Sequence, residues 1–220
     1  MIKVVDSGPV RVISLDRHGK RNALSQELCT LLIDAILHPP SSTRAIVLTG
    51  EGTVFSAGAD LDETDFQDAL YPVIAKLMRT IVASPLPAVA YLNGPAIGAG
   101  MMLAMACDLR VVSETAVCSL PVTKIGIGVD SWPVEALTEL IGGARARAML
   151  LAGLPLDVDT AVATGFAVGR GSLEDALALA GNFAGKSAET VANVKQQFAP
   201  SLFTEAERDA GVQAAWGARR

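Results

Sequence analysis

The sequence is poor in the residue types that mark several classes of function. Charged residues make up 19% of its 220 positions, and the net charge of −5, with no basic stripe, argues against a nucleic-acid partner. The two histidines, His18 and His38, stand alone without the spacing of metal ligands, so we expect no metal site. No apolar run reaches the roughly 18 residues needed to cross a membrane, so we expect no membrane span.

Cysteine is scarce as well. The chain has three cysteines, Cys29, Cys107 and Cys118. Their odd number and their apolar neighbours are typical of reduced thiols in a protein core. The first residues, MIKVVDSGPVRVISLD, alternate like a strand and lack the basic-then-apolar layout of a signal peptide. These features favour a cytoplasmic protein.

Hydrophobic residues, by contrast, are abundant: they make up 50% of the chain, and the mean hydropathy is +0.39. A chain of this length can bury one large core, with a small appendage at most. The polar residues that remain are too few to cover a monomer. We therefore expect a homo-oligomer whose subunits bury apolar surface between them.

Strand and helix patterns alternate along the first part of the chain. The first 15 residues predict a hairpin with its turn at Ser7–Pro9, and Ser25 is placed to cap an amphipathic helix. The run AIVLTG is typical of a strand buried on both faces. From Ala144 onward only helical patterns remain, with Ser172 and Ser187 as caps. This order predicts an α/β core over residues 1–165 and a helical region over residues 166–220.

Two glycine-bearing loops each follow an apolar strand. Ala57–Asp60 comes after AIVLTG, and Gly98–Gly100 comes after PAVAYLNG. Small residues let backbone amides approach a ligand oxygen, and two converging amides would form an oxyanion hole. Tight turns and close helix packing explain the same residues without a ligand. A dinucleotide site is disfavoured because Leu103 occupies the third glycine position of that motif.

Five segments in collinear order resemble the enoyl-CoA hydratase/isomerase family, also called the crotonase superfamily: KRNALS, AIVLTGEGTVFSAGADL, PAVAYLNGPAIGAG, LAMACDLRVV and GARARAMLLAG. The resemblance implies a spiral of ββα turns with a C-terminal helical region, assembled as a trimer or hexamer. It implies an acyl-CoA ligand whose thioester carbonyl lies between the amides of Ala59 and Ala99. Coenzyme A would then be part of the substrate, and no tightly bound cofactor is expected.

The KRNAL segment would lie along the coenzyme by the same resemblance. Ala23 and Leu24 would flank its pantetheine or adenine, and Lys20 and Arg21 would approach its phosphates. A simple alternative for the two basic residues is a solvated loop. The resemblance assigns to coenzyme binding Lys20, Arg21, Ala23, Leu24, Ala57, Asp60 and Leu61, with Asp60 acting only as a cap of its turn.

The sequence departs from the family pattern where hydratases carry two glutamates. Met102 and Val122 occupy those positions, and neither side chain can carry a proton. A positioned acid or base contributes about 10²–10⁴-fold to a rate, so efficient hydration is not expected. Met101, Met102, Val122 and Trp132 are candidates for the acyl pocket, although Met101 fits plain core packing equally well.

Asp130 is the candidate acid–base group that could replace the two missing glutamates. It falls on a loop where dienoyl-CoA isomerases and dehalogenase-like members of the family carry a working aspartate. Desolvation beside apolar neighbours would raise its pKa and make it a better base. Alternatively, Asp130 or Ser131 caps the helix that contains Pro133, and both roles can hold together. Glu135, one turn further on, is a second candidate that we expect to face solvent.

Three functions follow from these residues. The first is an acyl-CoA enzyme that transfers protons through an enolate, as an isomerase does, with Asp130 as base. The second is a non-catalytic acyl-CoA carrier or sensor that keeps only the oxyanion hole. The third, a serine hydrolase, is disfavoured because neither histidine lies near a glycine-flanked serine. The C-terminal segment is also shorter than the helical tail of most members, which would leave the pocket more open.

Overall fold

The computed structural model describes residues 1–63 and 65–218. A six-stranded sheet, in the order β1-β2-β3-β4-β6-β8, forms its centre, and a two-stranded sheet pairs β5 with β7. The strands are β1 (Ile2–Ser7), β2 (Val10–Leu15), β3 (Ala45–Gly50), β4 (Ala88–Leu92), β5 (Ala96–Ile97), β6 (Leu109–Val112), β7 (Cys118–Ser119) and β8 (Gly169–Arg170). Only β1 is antiparallel to its neighbour in the large sheet.

The helices connect these strands and cover both faces of the sheet. They are α1 (Gln26–Leu37), α2 (Tyr71–Ala83), α3 (Ala99–Ala106), α4 (Val122–Ile125), α5 (Ser131–Ile141), α6 (Gly143–Ala152), α7 (Val158–Ala163), α8 (Leu173–Gly181), α9 (Ala188–Gln197) and α10 (Glu205–Gly217). A π-helical turn, Phe66–Leu70, leads directly into α2. In the part of the chain described, no helix has the length and apolar character to cross a membrane.

Buried residues lie on both faces of the central strands of the sheet. Ile46 and Leu48 of β3 point into the larger core, which also holds α1, α2 and α3. Ala45 and Val47 of the same strand point into a smaller core covered by α8. Every residue of β3 is buried, which confirms the prediction of a strand enclosed on both faces.

A second layer of short pairings turns the chain into a spiral. Leu24 pairs with Ala59, Ser56 pairs with Ala96, and β5 pairs with β7, each in parallel. Strands β2, β3, β4 and β6 are thus each followed by a short extended segment and then a helix. The predicted α/β spiral of ββα turns is confirmed.

The local signals at helix and hairpin ends are confirmed as well. Gly8 has a φ of 58° in the hairpin turn, a conformation that favours glycine. Ser25 accepts a hydrogen bond from the Leu28 amide and caps α1. Ser172 forms a capping box with Asp175, and Ser187 caps α9.

Strand β8 corrects the expectation that only helices follow Ala144. It pairs in parallel with β6, with Val111 opposite Gly169. The buried Arg110 guanidinium holds the preceding segment by donating to the Phe166 carbonyl oxygen and lies 5.1 Å from the Phe166 ring centre. A strand of two residues has no alternation to detect. The division near residue 165 stays a prediction, but residues on both sides of it share one sheet.

Candidate functional site

The two glycine loops meet at the end of β3 and the start of α3. The Ile97 amide donates to the Ser56 carbonyl oxygen at 3.0 Å, which joins the segments leading into the loops. Gly58 has a φ of 104°, and a Cβ on it would lie 2.8 Å from the Ile97 oxygen and 3.5 Å from the Ala99 nitrogen. Only glycine fits this contact, so the loops approach more closely than any side chain would allow.

One amide of the first loop is left without an acceptor. The neighbours of Ala59 donate within the loop or to the segment beside it: Ala57 to the Arg21 oxygen at 3.0 Å, Gly58 to Ser56 Oγ at 3.3 Å, and Asp60 to the Leu24 oxygen at 2.9 Å. The Ala59 amide donates to no residue in the described ranges 1–63 and 65–218. These neighbouring bonds hold the Ala59 amide in a fixed direction.

The matching amide belongs to Ala99, the first residue of α3. Gly98, with φ 54° and ψ −123°, turns the chain into the helix, and its own amide donates to the Ser119 oxygen at 2.8 Å. The first amides of a helix lack acceptors within the helix, and Ala99 finds none elsewhere among the described residues. Because α3 is entirely buried, its positive end adds to the field at this amide.

Both amides border an apolar cavity of about 180 Å³. Its walls come from the two loops, the start of α2, and the segment from Leu120 to Val129. Met102 and Val122, two of the predicted pocket residues, lie in these walls, as do Ala57 and the exposed Leu61. The site therefore offers two directed hydrogen-bond donors at the edge of a space suited to an apolar group.

Met101 and Trp132 do not line this cavity. Met101 is fully buried in the core. Trp132 lines a separate groove of about 760 Å³, together with Ala136 and Leu140, which recur at helical spacing on one face of α5. The rotation of α5 about its axis thus turns Trp132 away from the cavity, and its assignment to the same pocket as Met102 is wrong.

Asp130 lies at the rim of the site. It matches neither the expectation of a desolvated base nor that of a side-chain cap for α5. It occupies the position before the first residue of α5, with the extended backbone of a cap, but its side chain accepts no capping hydrogen bond. It is also exposed, so the expected desolvation is absent in the single chain. Val129 lines the cavity and Asp130 does not. Glu135 is exposed, as expected.

Tyr71 is a site residue that sequence reasoning missed. Its ring lines the cavity, and its hydroxyl is buried beside the Asp130 carboxylate. Burial, and then the nearby Asp130 carboxylate, raise the pKa of Tyr71 to about 12. Tyr71 begins the apolar stripe of α2 that continues with Ile74 and Leu77. A polar aromatic residue in such a stripe is the signal that could have found it.

The predicted coenzyme-binding segment runs beside the first loop. Ala23 and Leu24 are buried, and Leu24 presents no side-chain surface to a ligand. Lys20 and Arg21 are exposed. The Lys20 ammonium is paired with the Asp62 carboxylate, and this hydrogen bond raises the pKa of Lys20. The segment is thus close to the amides, with one of its two charges already compensated.

Asp60 stabilises the turn that carries the Ala59 amide. Its Oδ1 accepts from the Asp62 amide at 3.2 Å, and its Oδ2 lies 2.6 Å from Arg17 Nη1. Burial by itself would raise the pKa of Asp60, but the Arg17 hydrogen bond and the Asp62 amide together lower it below its usual value. The charged form is therefore held in place, which fits the predicted cap of the turn and no proton transfer.

Comparison with known proteins identifies similar chains over nearly the whole length. The family model described as enoyl-CoA hydratase/isomerase matches residues 6–215. A relative from Mycobacterium leprae, named as a probable enoyl-CoA hydratase, echA6, is 42% identical over 89% of this chain and 81% of its own.

Solved structures show the same architecture. An enoyl-CoA hydratase from Bacillus anthracis has a TM-score of 0.86 at 27% identity, covering 99% of this chain and 89% of that one. A structure from Thermobifida fusca YX, described as an enoyl-CoA hydratase in complex with CoA, has a TM-score of 0.82 at 28% identity. It covers 99% of this chain and 92% of its own.

Proposed function

Because the chain belongs to the enoyl-CoA hydratase/isomerase family, we propose that it binds an acyl-CoA thioester with the carbonyl oxygen between the amides of Ala59 and Ala99. The observation that carries the proposal is that these two amides lack acceptors among the described residues and border one apolar cavity. The acyl group occupies the cavity. Each donor aimed at a developing oxyanion contributes about 2.7–4 kcal/mol in a water-excluded site.

Coenzyme A in this proposal lies along residues 20–24, and the complex of the similar Thermobifida fusca structure with CoA supports such a ligand. Its phosphates compete with Asp62 for the Lys20 ammonium. Solvent screens a pair between two exposed side chains, so this exchange costs little. Arg21, exposed beside Lys20, supplies a second positive charge. Coenzyme A binds and dissociates as part of the substrate, and no cofactor remains bound.

The chemistry we propose is proton transfer through an enolate. The Asp130 carboxylate removes a proton from the carbon next to the thioester carbonyl, and the electron pair of that C–H bond moves onto the carbonyl oxygen between the two amides. Return of the proton to a different carbon of the conjugated chain shifts the double bond. Met102 and Val122 lie in the cavity wall, and the resemblance to hydratases assigns the acid and base groups to these two positions. Because neither side chain can carry a proton, we expect no efficient addition of water.

A second candidate function is acyl-CoA binding without turnover. The exposure of Asp130 and its place outside the cavity wall favour it, because a base must reach the proton that it removes. In that case the protein is a carrier or sensor of acyl-CoA. The binding site is the same for both candidates, and only the fate of the proton differs.

The binding proposal is tested by Ala99→Pro. Proline removes the amide proton and is tolerated at the first position of a helix. We expect the affinity for acyl-CoA, measured by isothermal titration calorimetry, to fall at least tenfold. The control is Ala188→Pro, at the exposed first position of α9 after an extended Ser187. Equal affinity in both variants would show that the Ala99 amide does not hold the ligand.

The chemistry is tested with enoyl- and dienoyl-CoA thioesters in D₂O, for the unchanged chain and for Asp130→Asn. Deuterium uptake or double-bond migration that disappears in the variant supports proton transfer by Asp130. Tight binding without exchange in either protein supports the carrier. Hydration of crotonyl-CoA at the rate of an efficient hydratase would contradict the interpretation of Met102 and Val122.

A cytoplasmic homo-oligomer, a trimer or a hexamer, completes the proposal. Large apolar side chains are exposed on the single chain, among them Leu151 at 70%, Phe198 at 75% and Trp216 at 62%. Phe198 and Trp216 belong to the region 166–220, which we expect to form subunit contacts and to cover the pocket. Light scattering at micromolar concentration tests this, and a mass equal to one chain would contradict it.

A further inference from the structure

We propose that Ser56 is a positioning residue: its buried hydroxyl sets the direction of the Ala59 amide by joining the first loop to residues 20–24, the segment proposed to bind coenzyme A. This proposal rests on the acyl-CoA function proposed above and deepens it. Ser56 does not line the cavity, so it acts on a ligand through the backbone amide that it orients.

The Ser56 hydroxyl has two backbone partners, one in each segment. It donates to the Asn22 carbonyl oxygen at 2.8 Å and accepts from the Gly58 amide at 3.3 Å. Ser56 is fully buried, so water does not compete for either partner. Because a buried backbone group without a partner destabilises the fold, this single hydroxyl stabilises both the Asn22 oxygen and the Gly58 amide.

The backbone of Ser56 contacts the second loop as well. Its carbonyl oxygen accepts from the Ile97 amide at 3.0 Å. A Cβ on Gly100 would lie 2.6 Å from that oxygen and 2.9 Å from Ser56 Oγ, so the first turn of α3 packs directly on this residue. Ala99, which carries the second donor amide, lies between Ile97 and Gly100 in the chain. Ser56 is therefore in contact with both loops and with the coenzyme segment.

The acceptor on the coenzyme segment is itself held in place. Arg21 and Asn22 have φ values of 50° and 56°, a left-handed conformation that is unfavourable for most residues other than glycine. The Asn22 side chain supports this turn by donating to the carbonyl oxygens of Glu51 and Val54 at 3.0 and 2.8 Å. The Asn22 carbonyl oxygen is thus a fixed point, and the Ser56 hydroxyl positions the first loop relative to it.

Removal of the hydroxyl would act on the Ala59 amide next to Gly58. Without Ser56 Oγ, the Gly58 amide loses its acceptor, and glycine has the widest choice of backbone conformations. The peptide that carries the Ala59 N–H is then held by one bond, from the Leu24 amide to the Gly58 oxygen at 2.7 Å, and it can tilt about that bond. A hydrogen bond weakens steeply as its donor turns away from the acceptor. The expected loss is therefore specific to the thioester carbonyl.

The test compares two ligands of equal length by isothermal titration calorimetry: butyryl-CoA and the thioether S-butyl-CoA, which has CH₂ in place of the carbonyl. Their affinity ratio reports the hydrogen bonds to the carbonyl oxygen, because the coenzyme contacts are common to both. We expect the unchanged chain to prefer butyryl-CoA by at least about tenfold, since the thioether leaves both amides unpaired. In Ser56→Ala this preference should be at least about fivefold smaller, while the affinity for S-butyl-CoA changes less than about twofold.

Thr49→Val is the matched control. Thr49 is 4% exposed, and its hydroxyl donates to the Tyr91 carbonyl oxygen at 3.1 Å, so this variant also removes a buried hydroxyl from a backbone acceptor. Thr49 belongs to neither loop nor to residues 20–24, and we expect Thr49→Val to leave the affinity ratio unchanged. Ser56→Cys is a second variant that keeps a weaker donor and acceptor at the same place. Its ratio should lie between those of the unchanged chain and Ser56→Ala.

The possible outcomes separate this inference from the function on which it rests. If the unchanged chain does not prefer butyryl-CoA, the proposed role of the two amides is wrong and this inference falls with it. If the unchanged chain has the preference and Ser56→Ala keeps it, only the inference is overturned. Equal weakening of both ligands overturns it too, because Ser56 then supports the fold alone. If Ser56→Ala does not fold, Ser56→Cys replaces it: a smaller ratio supports the inference, and an unchanged ratio overturns it.

Discussion

Gly58 packs against the backbone of Ile97 so closely that a Cβ on residue 58 would lie 2.8 Å from the Ile97 carbonyl oxygen. On the other side of the same contact, a Cβ on Gly98 would lie 3.9 Å from Gly58 Cα. The two loops that carry the unpaired amides are thus in direct backbone contact. The relative position of the Ala59 and Ala99 amides depends on this contact.

Gly58→Ala should therefore separate the two amides. The new Cβ overlaps a backbone oxygen, and the φ of 104° is unfavourable for alanine, so we expect a loss of about 1–3 kcal/mol in the free energy of unfolding. Acyl-CoA affinity should fall as well, because both amides move. Gly185→Ala is the control, since a Cβ there meets nothing within 4 Å. Unfolding in urea and calorimetric titration measure the two effects, and an unchanged affinity in Gly58→Ala would contradict the role of the contact.

The stability contributed by Asp60 should depend on pH. Its pKa in the folded protein lies below the usual value of 3.8, so its pairing with Arg17 is present above that value and is lost as the pH falls through the folded pKa. We expect Asp60→Asn to lower the free energy of unfolding by roughly 1–3 kcal/mol at pH 7. The difference from the unchanged chain should shrink progressively below about pH 5.

Asp62→Asn is the matched control in the same turn. Its side chain is 78% exposed and pairs only with the exposed Lys20 in the described residues. Solvent screens such an exposed pair, so the change at pH 7 should be small. Urea unfolding between pH 3 and pH 8 provides the data. A constant effect of Asp60→Asn across that range would show that the Asp60 carboxylate charge is not what stabilises the turn.

The parts of the fold that could be predicted are those with a local physical cause. Ser25 caps α1 because its hydroxyl reaches an amide three residues ahead. Gly58 and Gly98 were detectable because their backbone angles exclude most side chains. The continuous apolar run of β3 reports burial on both faces directly. In each case the residue type and its immediate neighbours contain the information.

The parts that could not be predicted depend on how distant elements face each other. The rotation of α5 takes Trp132 into the larger groove, and the sequence of α5 alone does not reveal it. The same holds for Tyr71, which meets Asp130 only because α2 and the start of α5 converge at the cavity rim. Strand β8 forms through pairing with β6 and not through its own two residues.

The three cysteines should be unreactive while the protein is folded. Cys29, Cys107 and Cys118 are buried, and burial raises the pKa of each thiol to about 12. At pH 8 only about one thiol in 10⁴ would then be ionised, and the thiolate is the reacting form. We expect Ellman's reagent to modify all three in urea and to react at least about 100-fold more slowly without it. Rapid modification of one native thiol would contradict the burial of that residue.

Lys195 should anchor α9 to the core. Its side chain is 8% exposed, and its ammonium lies 2.7 Å from Asp108 Oδ2 and 2.9 Å from the Leu86 carbonyl oxygen. Lys195→Met keeps the apolar stem but leaves Asp108 without this partner. A fully buried pair costs roughly 3–5 kcal/mol to break, and because Asp108 is 30% exposed we expect about 2–3 kcal/mol in the free energy of unfolding.

The matched control for Lys195→Met is Lys186→Met, an exposed lysine that borders the same large groove. Asp108→Asn is a second variant, because an amide oxygen can still accept from the Ala88 amide, which now donates to Asp108 Oδ2 at 2.7 Å. We expect the order of stability to be Lys186→Met, then Asp108→Asn, then Lys195→Met. Because no residue of α9 lines the cavity of the single chain, acyl-CoA affinity measured below the unfolding transition should stay unchanged in all three. A loss of affinity confined to Lys195→Met would instead show that the anchored C-terminal helices shape the site.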